Sequence, residues 1–171
     1  MYQIEDYVVY GNEGVCRIEA IEKLDISGAN EEKDYYVLQP IYRNVTVYTP
    51  VDTKVFMRPV ISEETANELI DSIPSIEGKK GGPTNASILR DKYTAIIQSN
   101  DIEDLIKLIK TVHIKGEIAE SKNKKMGQTD KTFMRKAEDL LYGELAIALD
   151  IPRNKVSDYI DERLEQVVTV K

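Results

Sequence analysis

At 171 residues, with 42% hydrophobic and 31% charged residues and a formal charge of −7, the chain is sized for one domain or two small ones with a real core. No apolar run approaches the ~18–20 residues of a membrane span, and Met1 to Asp6 show neither the basic region nor the apolar stretch of a secretory signal. The single cysteine, Cys16, and the single histidine, His113, exclude an internal disulfide and a multi-histidine metal centre, so no metal, no cofactor and a reducing, cytoplasmic setting are expected.

Residues 7–60 read as short strands. Tyr7-Val8-Val9-Tyr10 is followed by Gly11-Asn12-Glu13-Gly14, whose glycines supply the positive φ of a tight turn, and then by Val15-Cys16-Arg17-Ile18. From Ile18 a period of two continues through Ala20, Glu22 and Leu24. Ser27 to Asn30 is a turn, extended by the charged run Glu31 to Asp34. Tyr35 to Ile41 and Val45 to Thr49 are rich in aromatic and β-branched residues, and Val55 to Val60 ends the series, with Pro59 placing it at an edge. About five such strands without intervening helices predict a small, strongly bent sheet or SH3-like barrel rather than a parallel α/β fold.

Helical periodicity begins after Ser62, a predicted N-cap followed by Glu63 and Glu64 at the positive end of the helix dipole. Ala66, Leu69, Ile70 and Ile73 form its apolar stripe, and Pro74 stops it. Gly78-Lys79-Lys80-Gly81-Gly82-Pro83 reads as a linker, and the charge changes sign there. Residues 1–77 hold 6 basic and 15 acidic side chains, whereas residues 79–136 hold 13 basic and 7 acidic. The boundary is therefore placed at this stretch, giving a barrel over 1–60, a helix and linker over 61–84, and a helical domain over 85–171.

Four helices are predicted in the last part. The first runs from Ser87 to Gln98; the second opens at Asp101, with Asp104 three residues on, and buries Ile102, Leu105, Ile106, Ile109 and Val112 with His113. After a lysine-rich break at Lys122, Lys124 and Lys125, the third runs from Asp130 to Leu149 on Phe133, Ala137, Leu140, Leu141, Leu145 and Ala148. Pro152 opens the fourth, which carries Val156, Tyr159, Ile160, Leu164 and Val167. The fold class is thus α+β, a five-stranded barrel followed by an all-α domain.

Chemistry is hard to assemble. The 78–83 stretch lacks the spacing of a phosphate loop, and no dinucleotide or zinc-protease motif occurs. His113 and Cys16 read as core residues, and the carboxylates are scattered. A non-catalytic protein is expected.

The strands and helix junctions resemble the CarD/CdnL transcription regulators. Tyr7-Val8-Val9-Tyr10 with Gly14-Val15 and Ile18 is similar to the opening that this family shares with the polymerase-interacting module of transcription-repair coupling factors. Ala20-Ile21-Glu22, Gly28, Tyr35-Tyr36-Val37-Leu38, Val45-Thr46-Val47, Pro50 and Arg58 follow in the family's order. Ser99-Asn100-Asp101, Ala137 with Leu140-Leu141, and Gly143-Glu144-Leu145-Ala146 match its C-terminal pattern, and no helicase motor follows.

The resemblance implies a Tudor-like domain bound to the β subunit of bacterial RNA polymerase through the edge strand. The implied contact set is Lys23, Leu24, Arg43, Val45, Thr46, Val47, Tyr48, Thr49 and Pro50. Leu24 and Tyr48 stand where some members carry two arginines, with Lys23 and Arg43 nearby as substitutes. It also implies a helical domain on promoter DNA at the upstream edge of the bubble, stabilising the open complex with little sequence readout. Several members wedge a tryptophan there; this chain has none, and Ile88 or Leu89 is the apolar replacement. Lys79, Lys80, Arg90, Lys92, Lys122, Lys124, Lys125, Lys131, Arg135 and Lys136 are the implied phosphate contacts. A monomer acting at the nucleoid, with no membrane partner, is the expectation.

Two other readings stand beside it. Leu145 to Pro152 with Val156 to Ile160 is similar to a helix-turn-helix repressor, although Asp158, Asp161 and Glu162 on its second helix oppose phosphate binding. The barrel also fits an interaction module unrelated to transcription.

Overall fold

The computed structural model describes residues 1–169, and the side chains of residues 1–166. The predicted apolar position Val167 lies outside the described side chains. The chain divides into two compact units, Met1–Val60 and Ile61–Lys171.

The first unit is one antiparallel sheet of β1 (Tyr7–Tyr10), β2 (Gly14–Lys23), β3 (Asp34–Pro40), β4 (Val47–Pro50) and β5 (Met57–Pro59). The strand order is β4-β3-β2-β1-β5. The turn between β1 and β2 needs its glycines: Gly11 sits at φ +47 and Gly14 at φ +77, and a Cβ on Gly11 would lie 3.1 Å from Val55 Cγ1. β2 runs ten residues because it serves two neighbours, with Cys16 opposite both Val8 on β1 and Pro40 on β3.

The register of β2 against β3 shifts between Ile18 and Ala20. The extra residue at this bulge reverses which face each later side chain takes. Cys16 and Ile18 therefore face the core with Val8, Tyr36 and Leu38, and Ile21, not Ala20, is the next to pack there. A bulge also bends the strand. The Tyr10 hydroxyl of β1 donates to Thr49 Oγ1 of β4 at 3.1 Å, although two strands lie between them in the sheet. The predicted barrel is thus a curled sheet, with β4 and β5 as terminal strands that do not pair with each other. Cys16 is buried as predicted, and burial, reinforced by the Glu13 carboxylate, pushes its thiol up to about 12.

The second unit contains α1 (Glu63–Ser72), α2 (Ala86–Ser99), α3 (Ile102–Ser121), α4 (Gln128–Leu149) and α5 (Val156–Thr169). Short polar side chains start three of them. Ser62 Oγ accepts from Thr65 N at 3.1 Å, Asn85 Oδ1 from Ser87 N at 2.9 Å, and Asp101 Oδ1 from Asp104 N at 3.0 Å. Asn100 and Asp150 end α2 and α4 in the left-handed conformation. Pro152 precedes a 3-10 turn, Arg153–Lys155, that leads into α5.

The apolar residues divide into two clusters. Leu89, Tyr93 and Ile97 of α2 pack with Leu105, Leu108 and Val112 of α3 and with Phe133 and Ala137 of α4. Ala66, Ile70 and Ile76 pack with Ile106 of α3, with Leu141, Leu145, Ala146 and Leu149 of α4, and with Val156 of α5. Helix α1 is also tied to α5 by Tyr159, whose hydroxyl donates to Asn67 Oδ1 at 2.6 Å, and by Arg163, which donates to both oxygens of Asp71 at 2.7 and 2.9 Å. The Arg163 guanidinium holds the Asp71 carboxyl below its ordinary value.

The barrel's expected limit at residue 60 coincides with the division between the units, while residues 61–84 and 85–171 form one unit instead of two parts. The glycine-rich stretch at 78–83 lies inside the helical unit, and the division falls at Val60–Ile61. Gly78 is a packing residue, because a Cβ there would sit 2.9 Å from the backbone of Lys110 and Thr111 on α3. The charge contrast changes with it: residues 1–60 hold 6 basic and 10 acidic side chains and residues 61–171 hold 17 and 20, so the basic excess is a local property of residues 79–136. His113 also departs from expectation. It is exposed and its Nε2 lies 3.3 Å from Glu117 Oε1, because the buried face of α3 runs through Leu105, Leu108 and Val112.

Gly78→Ala is expected to destabilise the helical unit by about 1–3 kcal/mol, since the added methyl meets backbone rather than a side chain that can turn away. A lowered urea midpoint of the full chain checks this.

Candidate functional site

Two surfaces collect the predicted contact residues, one on each unit. On the sheet, β4 pairs only with β3, Val47 opposite Leu38 and Pro50 opposite Tyr35, and its other side carries no strand. Pleating sends alternate residues inward. Thr49 is 2% exposed and Val47 packs on the core, while Tyr48 is 48% exposed. Val45 and Thr46 are exposed in the turn before the strand instead of within it. Tyr42 adds a second exposed ring just upstream.

The remaining predicted residues flank this edge unequally. Arg43 lies beside its Val47 end and is ion-paired with Glu13. Lys23 lies toward the Pro50 end, 3.5 Å from Asp34 Oδ1 and donating to Glu32 O at 3.2 Å. Leu24 is 7% exposed. The side chains of Leu24 and Thr49 are therefore withdrawn from the predicted contact set. What the edge offers is one strand of backbone, the Tyr48 ring, Val45 and Thr46.

On the helical unit, helices α2 and α4, which carry part of each of the two basic groups, pack on each other. The rings of Tyr93 on α2 and Phe133 on α4 pack with centroids 5.5 Å apart, setting the first half of α2 against the first half of α4. The Tyr93 hydroxyl donates to Asp130 Oδ1 at 2.5 Å. Lys115 of α3 donates to the same oxygen at 3.3 Å and to the Tyr93 hydroxyl at 3.1 Å. Asp130 is 8% exposed, so this trio is a nearly dry polar knot where three helices meet. Burial first, and the carboxylate second, raise the Tyr93 pKa, which keeps the hydroxyl a donor.

Around this knot the basic side chains point outward. Arg90 and Lys92 on α2, and Lys131, Arg135 and Lys136 on α4, are all exposed. Lys136 lies 4.9 Å from the centre of the Phe133 ring. Lys122, Lys124 and Lys125 are exposed in the α3–α4 loop, and Lys79 and Lys80 before α2. Of the two predicted apolar wedges, Leu89 is 7% exposed and belongs to the core; Ile88 is 55% exposed and is the one available. The α4–α5 pair similar to a helix-turn-helix presents Asp158, Asp161 and Glu162 to solvent.

Lys107 and Lys115 were not among the predicted residues. Their spacing with Thr111, four residues each, marks one face of α3 and is visible in sequence once that helix is assigned. Among the described residues, no three His, Cys, Asp or Glu side chains converge as a metal site requires, and no helix is long and apolar enough to cross a membrane.

Residues 2–61 match the family model of the CarD-like/TRCF RID domain. The N-terminal unit, about a third of the chain, is thus similar to a CarD-like RID domain. The matched segment covers the whole sheet and ends where the helical unit begins. A RID domain is a protein-interaction domain, and it points to RNA polymerase interaction and transcription regulation. The α+β architecture expected from the sequence is the one observed.

Tyr93→Phe leaves the buried Asp130 carboxylate with one donor fewer, and is expected to cost about 1–3 kcal/mol. The check is a urea titration, with a lower midpoint at unchanged slope.

Proposed function

We propose that this protein is a non-catalytic transcription regulator that binds the β subunit of bacterial RNA polymerase through the β4 edge of its RID domain. The helical unit then contacts promoter DNA at the upstream edge of the bubble and stabilises the open complex. Such a protein acts in the cytoplasm, on polymerase at the nucleoid, as a monomer.

The observation that carries the reading is a terminal strand of a RID domain that is unpaired on one side and displays Tyr48. An unpaired strand edge is a template for strand addition, with backbone bonds supplying affinity and outward side chains supplying selectivity. The DNA part draws support from the exposed basic side chains around Tyr93 and Phe133, with Ile88 as the apolar residue beside them. Lysine and arginine side chains on phosphates position a protein without reading sequence. Better binding to the open than to the closed promoter shifts that equilibrium by the difference in affinity.

Calorimetric titration of the full chain against the isolated outer lobe of the β subunit is expected to saturate. Tyr48→Asp places a carboxylate on the edge and is expected to weaken binding by about tenfold or more, which corresponds to about 1.4 kcal/mol. No saturation up to about 1 mM, or an unaffected variant, removes the polymerase contact from this edge.

A triple variant, Lys131→Glu with Arg135→Glu and Lys136→Glu, is expected to weaken binding to a forked promoter fragment. It is also expected to flatten the dependence of log affinity on log salt by roughly 2 to 3, as for the loss of about three phosphate contacts. Gel-shift titrations at several salt concentrations measure both.

A further inference from the structure

A groove of about 370 Å³ lies against α2, α3 and the 79–83 stretch of the helical unit, and the edge-binding reading leaves it unused. Its size falls within the roughly 300–1,000 Å³ of small-molecule sites. Pro83, Ala95 and Ile96 supply apolar surface over the buried Leu89 and Leu108. Four lysines surround it, Lys79, Lys92, Lys107 and Lys115, against Asp104 in the lining and Asp130, which is ion-paired with Lys115, for a balance of +2.

The lysines are not equivalent. Lys115 is held in place by its bonds to Tyr93 and Asp130, so one ammonium is already oriented, and its side chain is 20% exposed. Lys79, Lys92 and Lys107 are exposed, and none of them forms an ion pair among the described residues. The backbone N–H of Lys79 donates to Thr111 Oγ1 at 2.9 Å, which anchors the 79–83 stretch to the groove wall. Collecting like charges around an apolar surface is unfavourable until an anion joins them.

We infer that this groove binds a nucleoside di- or triphosphate, its phosphates among Lys79, Lys92, Lys107 and Lys115 and its base on Pro83, Ala95 and Ile96. The lysines without an ion pair among the described residues stand on three separate segments, Lys79 before α2, Lys92 on α2 and Lys107 on α3, and a di- or triphosphate can meet them with several phosphates where a single phosphate ester offers one. The apolar surface calls for a flat, weakly polar body beside the phosphates, which inorganic phosphates lack. The volume suits one nucleotide better than a strand. The site stands apart from the polymerase reading, and failure of either leaves the other in place.

The test is calorimetry on the full chain without DNA and without magnesium, using ATP, GTP, inorganic pyrophosphate and guanosine as separate titrants. Omitting DNA matters because Lys79 and Lys92 also belong to the proposed DNA face. ATP or GTP is expected to saturate below about 1 mM, with pyrophosphate about tenfold weaker and guanosine silent. Lys92→Glu combined with Lys107→Glu is expected to weaken the nucleotide by about tenfold or more, whereas Lys124→Glu with Lys125→Glu, the same charge change on the α3–α4 loop, leaves it unaltered. Amide NMR shifts on ATP addition to the unaltered protein locate the site without relying on a variant, and are expected at Ile96, Thr111 and Lys115. The inference is overturned by no saturation, by pyrophosphate binding as tightly as nucleotide, by equal losses in both charge variants, or by shifts confined elsewhere.

Discussion

Helix α4 is the element on which the helical unit depends, because both of its apolar clusters are built on that one helix. Phe133 and Ala137 near its start complete the core of α2 and α3, while Leu141, Leu145 and Leu149 near its end complete the core of α1 and α5. At 22 residues it is long enough to give each cluster a separate stretch. The consequence extends to the charged surface. The stretch that carries Phe133 also carries Asp130, Lys131, Arg135 and Lys136, so packing against α2 fixes where the basic side chains stand. A buried carboxylate at the start of α4 would be costly alone. Tyr93 and Lys115 satisfy it, and in doing so hold three helices to one arrangement around the basic surface.

The N-terminal unit places its exposed edge differently. There the core is small, Val8, Cys16, Ile18, Tyr36 and Leu38, and the bulge in β2 curls the sheet around it. The curl brings Tyr10 to Thr49, which turns the inner face of β4 toward the core and leaves Tyr48 outside. The edge is thus presented by a strand anchored on its inner face, so a chain pairing there would meet backbone that is already ordered. Preorganisation of this kind reduces the entropy lost on association.

Much of this was legible in the sequence. Strands stood out as aromatic and β-branched runs bounded by glycine and proline, and helix starts as Ser62 and Asp101 before apolar periodicity. What escaped has identifiable causes. The bulge at Ile18–Ala20 inserts one residue without any compositional mark, so the alternation past it was assigned to the wrong face. Thr49 sits between Tyr48 and Pro50, and its polarity argues for an outward position that only the pairing register with β3 corrects. Val112 and His113 are adjacent on α3, and one step around a helix separates a buried residue from an exposed one. Gly78 reads in sequence as part of a flexible stretch, whereas in the fold it permits close approach of two backbones. Contacts such as Asn67 with Tyr159 span 92 residues, and no local pattern announces them.

Both terminal strands are short and both close on proline, β4 at Pro50 and β5 at Pro59. Proline has no N–H to extend a ladder, and strands of four and three residues provide little length for one. An exposed edge would otherwise invite copies of the chain to stack into aggregates. Here it can accept a few backbone bonds and no more, so a productive partner must add recognition of Tyr48 and its neighbours. The same short, proline-ended strand that limits stacking would thus make any strand addition depend on side chains as well as backbone.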